Sequence, residues 1–206
     1  MAEQHGRQSA LAGLGLDAQA RISTRGAGEA GVRLGERPWR AQLALRGDPE
    51  SEAFLTGVES VLGVAPPTAP LTVSSRRGVA CLWLGPDEWL VTLPDRREPR
   101  AIARLEERLA GLHFAVNDVS HARTVLGLAG PRAREVLMKG CALDLHPRSF
   151  GPGRCAQSSL ARCHVLLHQL DAEPAYDLYV HRSFAEYAWR WLCDAAAEHG
   201  LAIVAD

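Results

Sequence analysis

Cys155, Cys163, His164 and His168 place thiol and imidazole groups, the ligands zinc prefers, in one short stretch. A structural zinc site usually draws on a closely spaced cysteine pair, which this stretch lacks. If the stretch is a strand, the adjacent Cys163 and His164 point to opposite faces. They read as ordinary strand residues, and no metal is expected. Asp118, Ser120 and His121 offer the acid, nucleophile and base of a hydrolase within five residues, Asn117-Asp118-Val119-Ser120-His121. A triad needs those groups gathered at one site around an activated serine. No G-x-S-x-G elbow surrounds Ser120, and a tight turn with Asp and Ser bonded to nearby backbone explains the stretch better. No G-x-G-x-x-G or P-loop follows a predicted strand, and Gly26-x-Gly28 and Gly151-Pro152-Gly153 are turn material. A flavin or nicotinamide is therefore not expected on this chain. Tryptophan remains. Trp83 and Trp89 flank the turn residues Gly85-Pro86-Asp87, and Trp189 and Trp191 lie in the last predicted helix. Tryptophan marks interface hot spots, although core packing is its commoner role. Trp83, Asp87, Glu88 and Trp89 form the candidate partner interface, with at least one of the two indoles expected in the core.

The chain has 206 residues, 47% hydrophobic and 23% charged, enough apolar material for a real core. A net charge of -1 gives no basic excess that would argue for nucleic acid. The five scattered cysteines fit a reduced, cytoplasmic thiol set better than a disulfide framework. Neither a signal-peptide pattern nor an apolar run of the ~20 residues that span a bilayer is present, so no membrane is expected.

Residues 1–31 are rich in Ala, Gly, Ser, Gln and Arg, and the pattern predicts a flexible N-terminal arm that orders on a partner. Residues 32–206 form the folded domain. Trp39, Ala41, Leu43 and Leu45 alternate as in a strand; Asp48 and Pro49 open a helix carrying Phe54, Leu55, Val58, Val61 and Leu62, which Gly63 ends. Two strands follow, Ala80–Leu84 and Glu88–Leu93, then a helix on Ile102, Leu105 and Leu109, then a strand at Phe114–Val116. The same order returns: strand Arg123–Leu128, a short helix after Gly130-Pro131, paired strands Leu160–Leu170 and Tyr176–His181, a helix, and strand Leu201–Ala205. Ser183 and Glu186 suggest a capping box for that last helix, with Phe184, Tyr187, Ala188, Trp191 and Leu192 on one face. The fold class is α+β, two tandem ferredoxin-like β-α-β-β-α-β repeats over about 39–116 and 123–206.

Several stretches resemble the gamma subunits of heterotetrameric sarcosine oxidases: Leu82-Trp83-Leu84-Gly85-Pro86-Asp87-Glu88-Trp89-Leu90, Asp118-Val119-Ser120-His121-Ala122-Arg123-Thr124, and Leu128-Ala129-Gly130-Pro131-Arg132-Ala133. So do Lys139-Gly140-Cys141, Leu143-Asp144-Leu145-His146-Pro147-Arg148, Pro152-Gly153-Arg154-Cys155-Ala156-Gln157, and Asp177-Leu178-Tyr179-Val180 with Ser183-Phe184. The resemblance runs from about Val32 to the C-terminus. It implies an accessory, non-catalytic chain of an enzyme that oxidatively demethylates sarcosine to glycine. Oxygen becomes hydrogen peroxide, and the one-carbon unit leaves as formaldehyde or methylene-tetrahydrofolate. It also implies that FAD, FMN, NAD and tetrahydrofolate belong to the complex rather than to this chain. The alpha subunit is the implied direct partner, with beta and delta subunits in the same assembly. Asp118-Val119-Ser120-His121 and Gly130-Pro131-x-Ala133 also resemble, more distantly, the folate-dependent aminomethyltransferase of glycine cleavage. That family has acidic residues on the strand where folate chemistry occurs. Here the matching stretch is Arg162-Cys163-His164-Val165-Leu166-Leu167-His168, and neither Asp nor Glu lies between Asp144 and Asp171. A stand-alone folate-dependent one-carbon transferase and an interaction module of another assembly are the alternatives.

Overall fold

A computed structural model describes residues 7–23 and 30–205 of the chain. Its strands are β1 (Val32–Glu36), β2 (Arg40–Gly47), β3 (Val73–Arg76), β4 (Val79–Gly85), β5 (Glu88–Pro94), β6 (Phe114–Asp118), β7 (Arg123–Ala129), β8 (Cys155–Leu160), β9 (Cys163–Asp171), β10 (Ala175–His181) and β11 (Leu201–Ile203). Its helices are α1 (Leu16–Ser23), α2 (Glu52–Leu62), α3 (Glu98–Arg108), α4 (Ala133–Met138) and α5 (Ala185–Ala196). One sheet runs β3-β4-β5-β2-β6 and the other β11-β1-β7-β10-β9-β8.

Alternation along the strands sorts side chains into three cores. Leu43, Leu45, Trp89, Val91 and Leu93 face Phe54 and Val58 of α2 and Leu105 of α3. Leu126, Leu128, Leu167, Leu178 and Val180 face Val136 and Leu137 of α4 and Trp189 and Leu192 of α5. Leu82 and Leu90 of one sheet meet Val125, Leu166 and Tyr179 of the other. The layers are therefore helix, sheet, sheet, helix, and the two sheets pack back to back.

Strands β2, β4, β5 and β6 with α2 and α3 form one ferredoxin-like unit, extended by β3 at its edge. Strands β7, β9, β10 and β11 with α4 and α5 form the other, extended by β8. The second unit is not made from its own half alone. β1 lies between β11 and β7, parallel to the first (Val32↔Leu201) and antiparallel to the second (Leu34↔Leu128). A clean division at 39–116 and 123–206 thus leaves out the strand that joins β11 to its sheet.

The N-terminal segment also departs from the expected arm. Residues 12–14 form a 3-10 turn and α1 follows; Leu11 is buried at 2% exposure, with Leu14 and Leu16 against the same core. Those few leucines provide the apolar anchor that the average composition concealed. The rest of the predicted arm, residues 1–6 and 24–29, lies outside the described residues.

Two cap assignments change. Ser51, not Asp48, caps α2, its Oγ accepting from Phe54 N at 3.3 Å, while Asp48 accepts from Glu50 N in a turn of its own. Gly63 ends the helix at φ 76°, the left-handed cap that lacks a Cβ penalty. Before α5, residues 182–184 form a 3-10 turn, so no side chain caps the helix and Glu186 pairs with Arg190 one turn on. That turn rotates the helix: Ala185, Ala188, Trp189 and Leu192 face the core, leaving Phe184 and Tyr187 46% and 39% exposed.

Candidate functional site

The β4–β5 hairpin carries the residues singled out as an interface. Trp83 stands opposite Trp89, and an irregularity before Gly85 lets the chain turn through Pro86 and Asp87. Trp89 is fully buried. It lies 5.7 Å, centroid to centroid, from Phe54, and its Nε1 donates to Pro67 O at 2.8 Å. It shares a face with Val91 and Leu93, the face that α2 and α3 cover, so it leaves the candidate interface for the core. Trp83 is half-buried where two cores meet. Asp87 is exposed and pairs with Arg46 at 3.1 Å, both ends in water, a contact worth at most ~1 kcal/mol. Glu88 is half-buried beside it. The tip therefore presents one half-buried indole and two carboxylates.

The Asp118–His121 segment is a turn. Asp118 Oδ1 accepts from Ser120 N at 2.9 Å and from Ser120 Oγ at 2.5 Å, and Ser120 Oγ accepts from Gln42 N at 3.0 Å. Ser120 thus ties the inter-unit crossing to β2, and the exposed His121 shares no hydrogen bond with it among the described residues.

The cysteines and histidines divide between faces. Cys163 points to the α4–α5 core, its Sγ donating to Leu160 O at 3.3 Å. Cys155 and His168 are cross-strand neighbours between the sheets. Burial pushes the Cys155 thiol up to about 11, far from the reactive thiolate. Among the described residues no three His, Cys, Asp or Glu side chains come together as a metal site. Burial, with the Arg37 charge adding to it, holds the His168 imidazole down to about 4.

Unfolding releases His168 to its ordinary value near 6.5, so between the two values the unfolded chain binds the extra proton. Stability from this group is complete above 6.5 and is lost as pH falls toward 4. Lowering pH from 7 to 4.5 is expected to destabilise the protein by about 2–3 kcal/mol more than it destabilises His168→Gln. Urea unfolding at both pH values measures the difference; equal losses would remove His168 as the cause.

Where the aminomethyltransferase-like resemblance calls for carboxylates, β9 contributes His164 and Leu166 to a cavity of ≈210 Å³. Arg123, Gln157, Ser158, Tyr179 and His181 complete its polar lining, with neither Asp nor Glu among the described residues there. It falls below the ~300 Å³ usual for small-molecule sites. Two further features escaped sequence reasoning. Met138, Phe184 and Tyr187 are large and exposed on the α4–α5 layer; a single 3-10 turn precedes α5, and the last two lie outside the core face of the helix. Arg37, Arg40, Arg76 and Arg77 gather at one cavity from segments far apart in sequence, which no local pattern signals.

A profile of the sarcosine oxidase, gamma subunit family matches residues 46–198. The sarcosine oxidase subunit gamma of Corynebacterium sp. (strain U-96) is 39% identical over 180 residues, 87% of this chain and 86% of that protein. The solved heterotetrameric sarcosine oxidase from Corynebacterium sp. U-96, in complex with pyrrole 2-carboxylate, contains a chain that superposes with a TM-score of 0.83 at 37% identity. The match covers 96% of this chain and 98% of that one. The glycine cleavage system aminomethyltransferase T of Bartonella henselae matches with a TM-score of 0.68 at 15% identity, over 96% of this chain and 59% of that one. It shares the fold. With the hairpin, the inter-unit turn and the acid-free stretch Cys163–Leu170 of β9 all inside the matched region, the chain belongs to the sarcosine oxidase gamma subunit family.

Proposed function

We propose that this chain is the accessory gamma subunit of a heterotetrameric sarcosine oxidase, contributing protein surface and no redox chemistry of its own. Its complex would oxidise sarcosine to glycine with oxygen becoming hydrogen peroxide, and release the methyl carbon as formaldehyde or methylene-tetrahydrofolate. The observation that carries the reading is the near end-to-end correspondence with a chain of a solved heterotetrameric oxidase. The carboxylate-free β9 cavity supports the accessory role. FAD, FMN, NAD and tetrahydrofolate would bind the other chains, the alpha subunit would be the direct partner, and the assembly would work in the cytoplasm. No helix among the described residues is long and apolar enough to cross a membrane.

The test is co-expression with and without the alpha, beta and delta chains. Sarcosine-dependent oxygen uptake is expected only from the assembled complex, with this chain co-purifying in it. Oxygen uptake or methylene-tetrahydrofolate formation by the isolated chain, or its absence from the purified complex, would overturn the proposal.

Contact with the alpha chain would draw on the hairpin tip, Trp83 with Asp87 and Glu88, and on the apolar side chains Phe184 and Tyr187. Apolar anchors dominate interface energetics while charged rims add little. Phe184→Ser with Tyr187→Ser is therefore expected to weaken co-purification at least ~10-fold, and Asp87→Lys with Glu88→Lys by less. Phe184, Tyr187 and Asp87 are exposed and Glu88 half-buried, so the free chain should stay folded and lose no more than about 1–2 kcal/mol. Unchanged assembly in both variants would place the contact elsewhere.

A further inference from the structure

The two sheets do not close on each other along their full length. At one end they leave a cavity of ≈420 Å³, with Arg37 and Arg40 on one side, Arg76 and Arg77 of the β3–β4 turn at its mouth, and His168 and Asp177 among its other walls. Four of its lining residues are arginines and one is a carboxylate. Arg37 is ion-paired with Asp177; Arg40, Arg76 and Arg77 form no ion pair among the described residues. The chain as a whole has a net charge of -1, so this excess of cations is local.

Sheet register explains how the inner wall is built. His168 stands opposite Asp177, and Asp177 opposite Gly127, in one row facing the other sheet. Gly127 leaves the space in which Arg37 lies: a Cβ there would come within 3.0 Å of Arg37 Nε. Asp177, itself 6% exposed, holds the guanidinium in that position. His168 is only 5% exposed, and its Nδ1 is shielded from solvent with no hydrogen-bond partner among the described residues. Buried polar atoms are normally satisfied by protein, water or ligand. At the mouth, Arg77 and Gly78 both adopt positive φ (51° and 81°), the two-residue hairpin geometry that favours Asn or Gly. An arginine in that turn adds a cation to the mouth despite its unfavourable backbone.

We propose that this cavity binds a small anion bearing carboxylate or phosphate groups, with Arg40, Arg76 and Arg77 as its charged ligands and Arg37, positioned by Asp177, on its inner wall. Guanidinium groups match both anions through paired N–H donors. The volume lies within the ~300–1,000 Å³ of small-ligand sites. The cavity is separate from the one lined by His164 and Leu166 on β9.

The full chain can be titrated with inorganic phosphate and, separately, with succinate, holding ionic strength constant with chloride. Calorimetry and the His168 imidazole signals by NMR provide the readouts. Saturable binding of at least one probe is expected, and the stronger binder identifies the anion class. A bound anion offsets the field of Arg37, so the His168 titration should move upward. Arg40→Gln with Arg76→Gln and Arg77→Gln should weaken binding at least ~10-fold. Arg76→Glu with Arg77→Glu, on exposed turn residues, should do the same with an unchanged melting temperature. Arg46→Gln with Arg190→Gln, outside the cavity, should leave affinity intact. The proposal is overturned if neither probe binds beyond what chloride reproduces, or if the outside control loses affinity equally. It is also overturned if cavity variants lose only their partner subunits, which would make the cleft a protein contact.

Discussion

Trp89→Ala should lower the stability of the isolated chain by about 3–5 kcal/mol, one of the largest effects of any single truncation in the hairpin unit. The indole is completely buried among β2, β5 and α2, against Phe54. Its removal also leaves Pro67 O without the Nε1 donor, a loss of about 1–3 kcal/mol if water cannot reach the carbonyl. For a chain of this length the melting temperature should fall by roughly 10 °C. Trp83→Ala, at a half-buried position across the same ladder, should cost clearly less. Chemical denaturation of the two variants side by side measures the contrast. Equal losses would mean that the two indoles share one core, and a stable Trp89→Ala protein would return that residue to the interface.

Deleting residues 1–36 should abolish cooperative folding, although it removes no residue of either predicted repeat. β11 is an edge strand whose ladder partner is β1, and Val32 and Leu34 are both fully buried in the α4–α5 core. The backbone is tied in as well: Val32 N donates to Gly200 O at 3.1 Å, and Val204 N to Leu34 O at 2.9 Å. Leu34→Ala alone should cost about 2–5 kcal/mol. Loss of the whole strand with Leu11 is expected to exceed the ~5–15 kcal/mol that stabilises a domain. Hydrogen exchange should show lost protection in β7, β10 and α5 before β2 and β5. A truncated chain that melts in one transition within a few degrees of the full one would show that β1 is dispensable.

The sequence announced those elements whose signal is local. Alternation from Ala41 to Leu45, the turn at Gly85-Pro86-Asp87 and the glycine after Leu62 each fix a structure within a few residues, and the ferredoxin-like order follows from them. β1 was not legible: Val32-Arg33-Leu34-Gly35-Glu36 offers two large apolar residues, and its partners lie at Leu126–Ala129 and Leu201–Ile203. β3 (Val73–Arg76) and β8 (Cys155–Leu160) are polar edge strands, specified by the neighbours they pair with. The same limit applied at the sites. Trp83 and Trp89 are alike in sequence and share one face of the hairpin, and only the closer cover of Phe54 and Pro67 over Trp89 makes that one core. On α5, Trp189 is fully in the core while Trp191 packs at its margin, and a 3-10 turn at Arg182–Phe184 precedes the helix where a capping box was expected. The arginines of the inter-sheet cavity come from two loops and two strands, and sheet packing alone brings them together.

The position of β1 sets an order of events at the ribosome. Val32 to Leu34 are synthesised well before one of the two strands they join, Leu201–Ile203, which lies about 170 residues further along the chain. At about 5–20 residues per second, that partner follows on the order of 10–30 s later. During that interval the hairpin unit, complete by Asp118, can form on the nascent chain. β1 meanwhile waits with an unpaired edge and two buried-type side chains in water, a template for wrong pairing. A chain released early, or cut near its C-terminus, would keep that edge open. Factors that bind nascent chains should therefore hold this protein at β1 until Leu201–Ile203 has emerged.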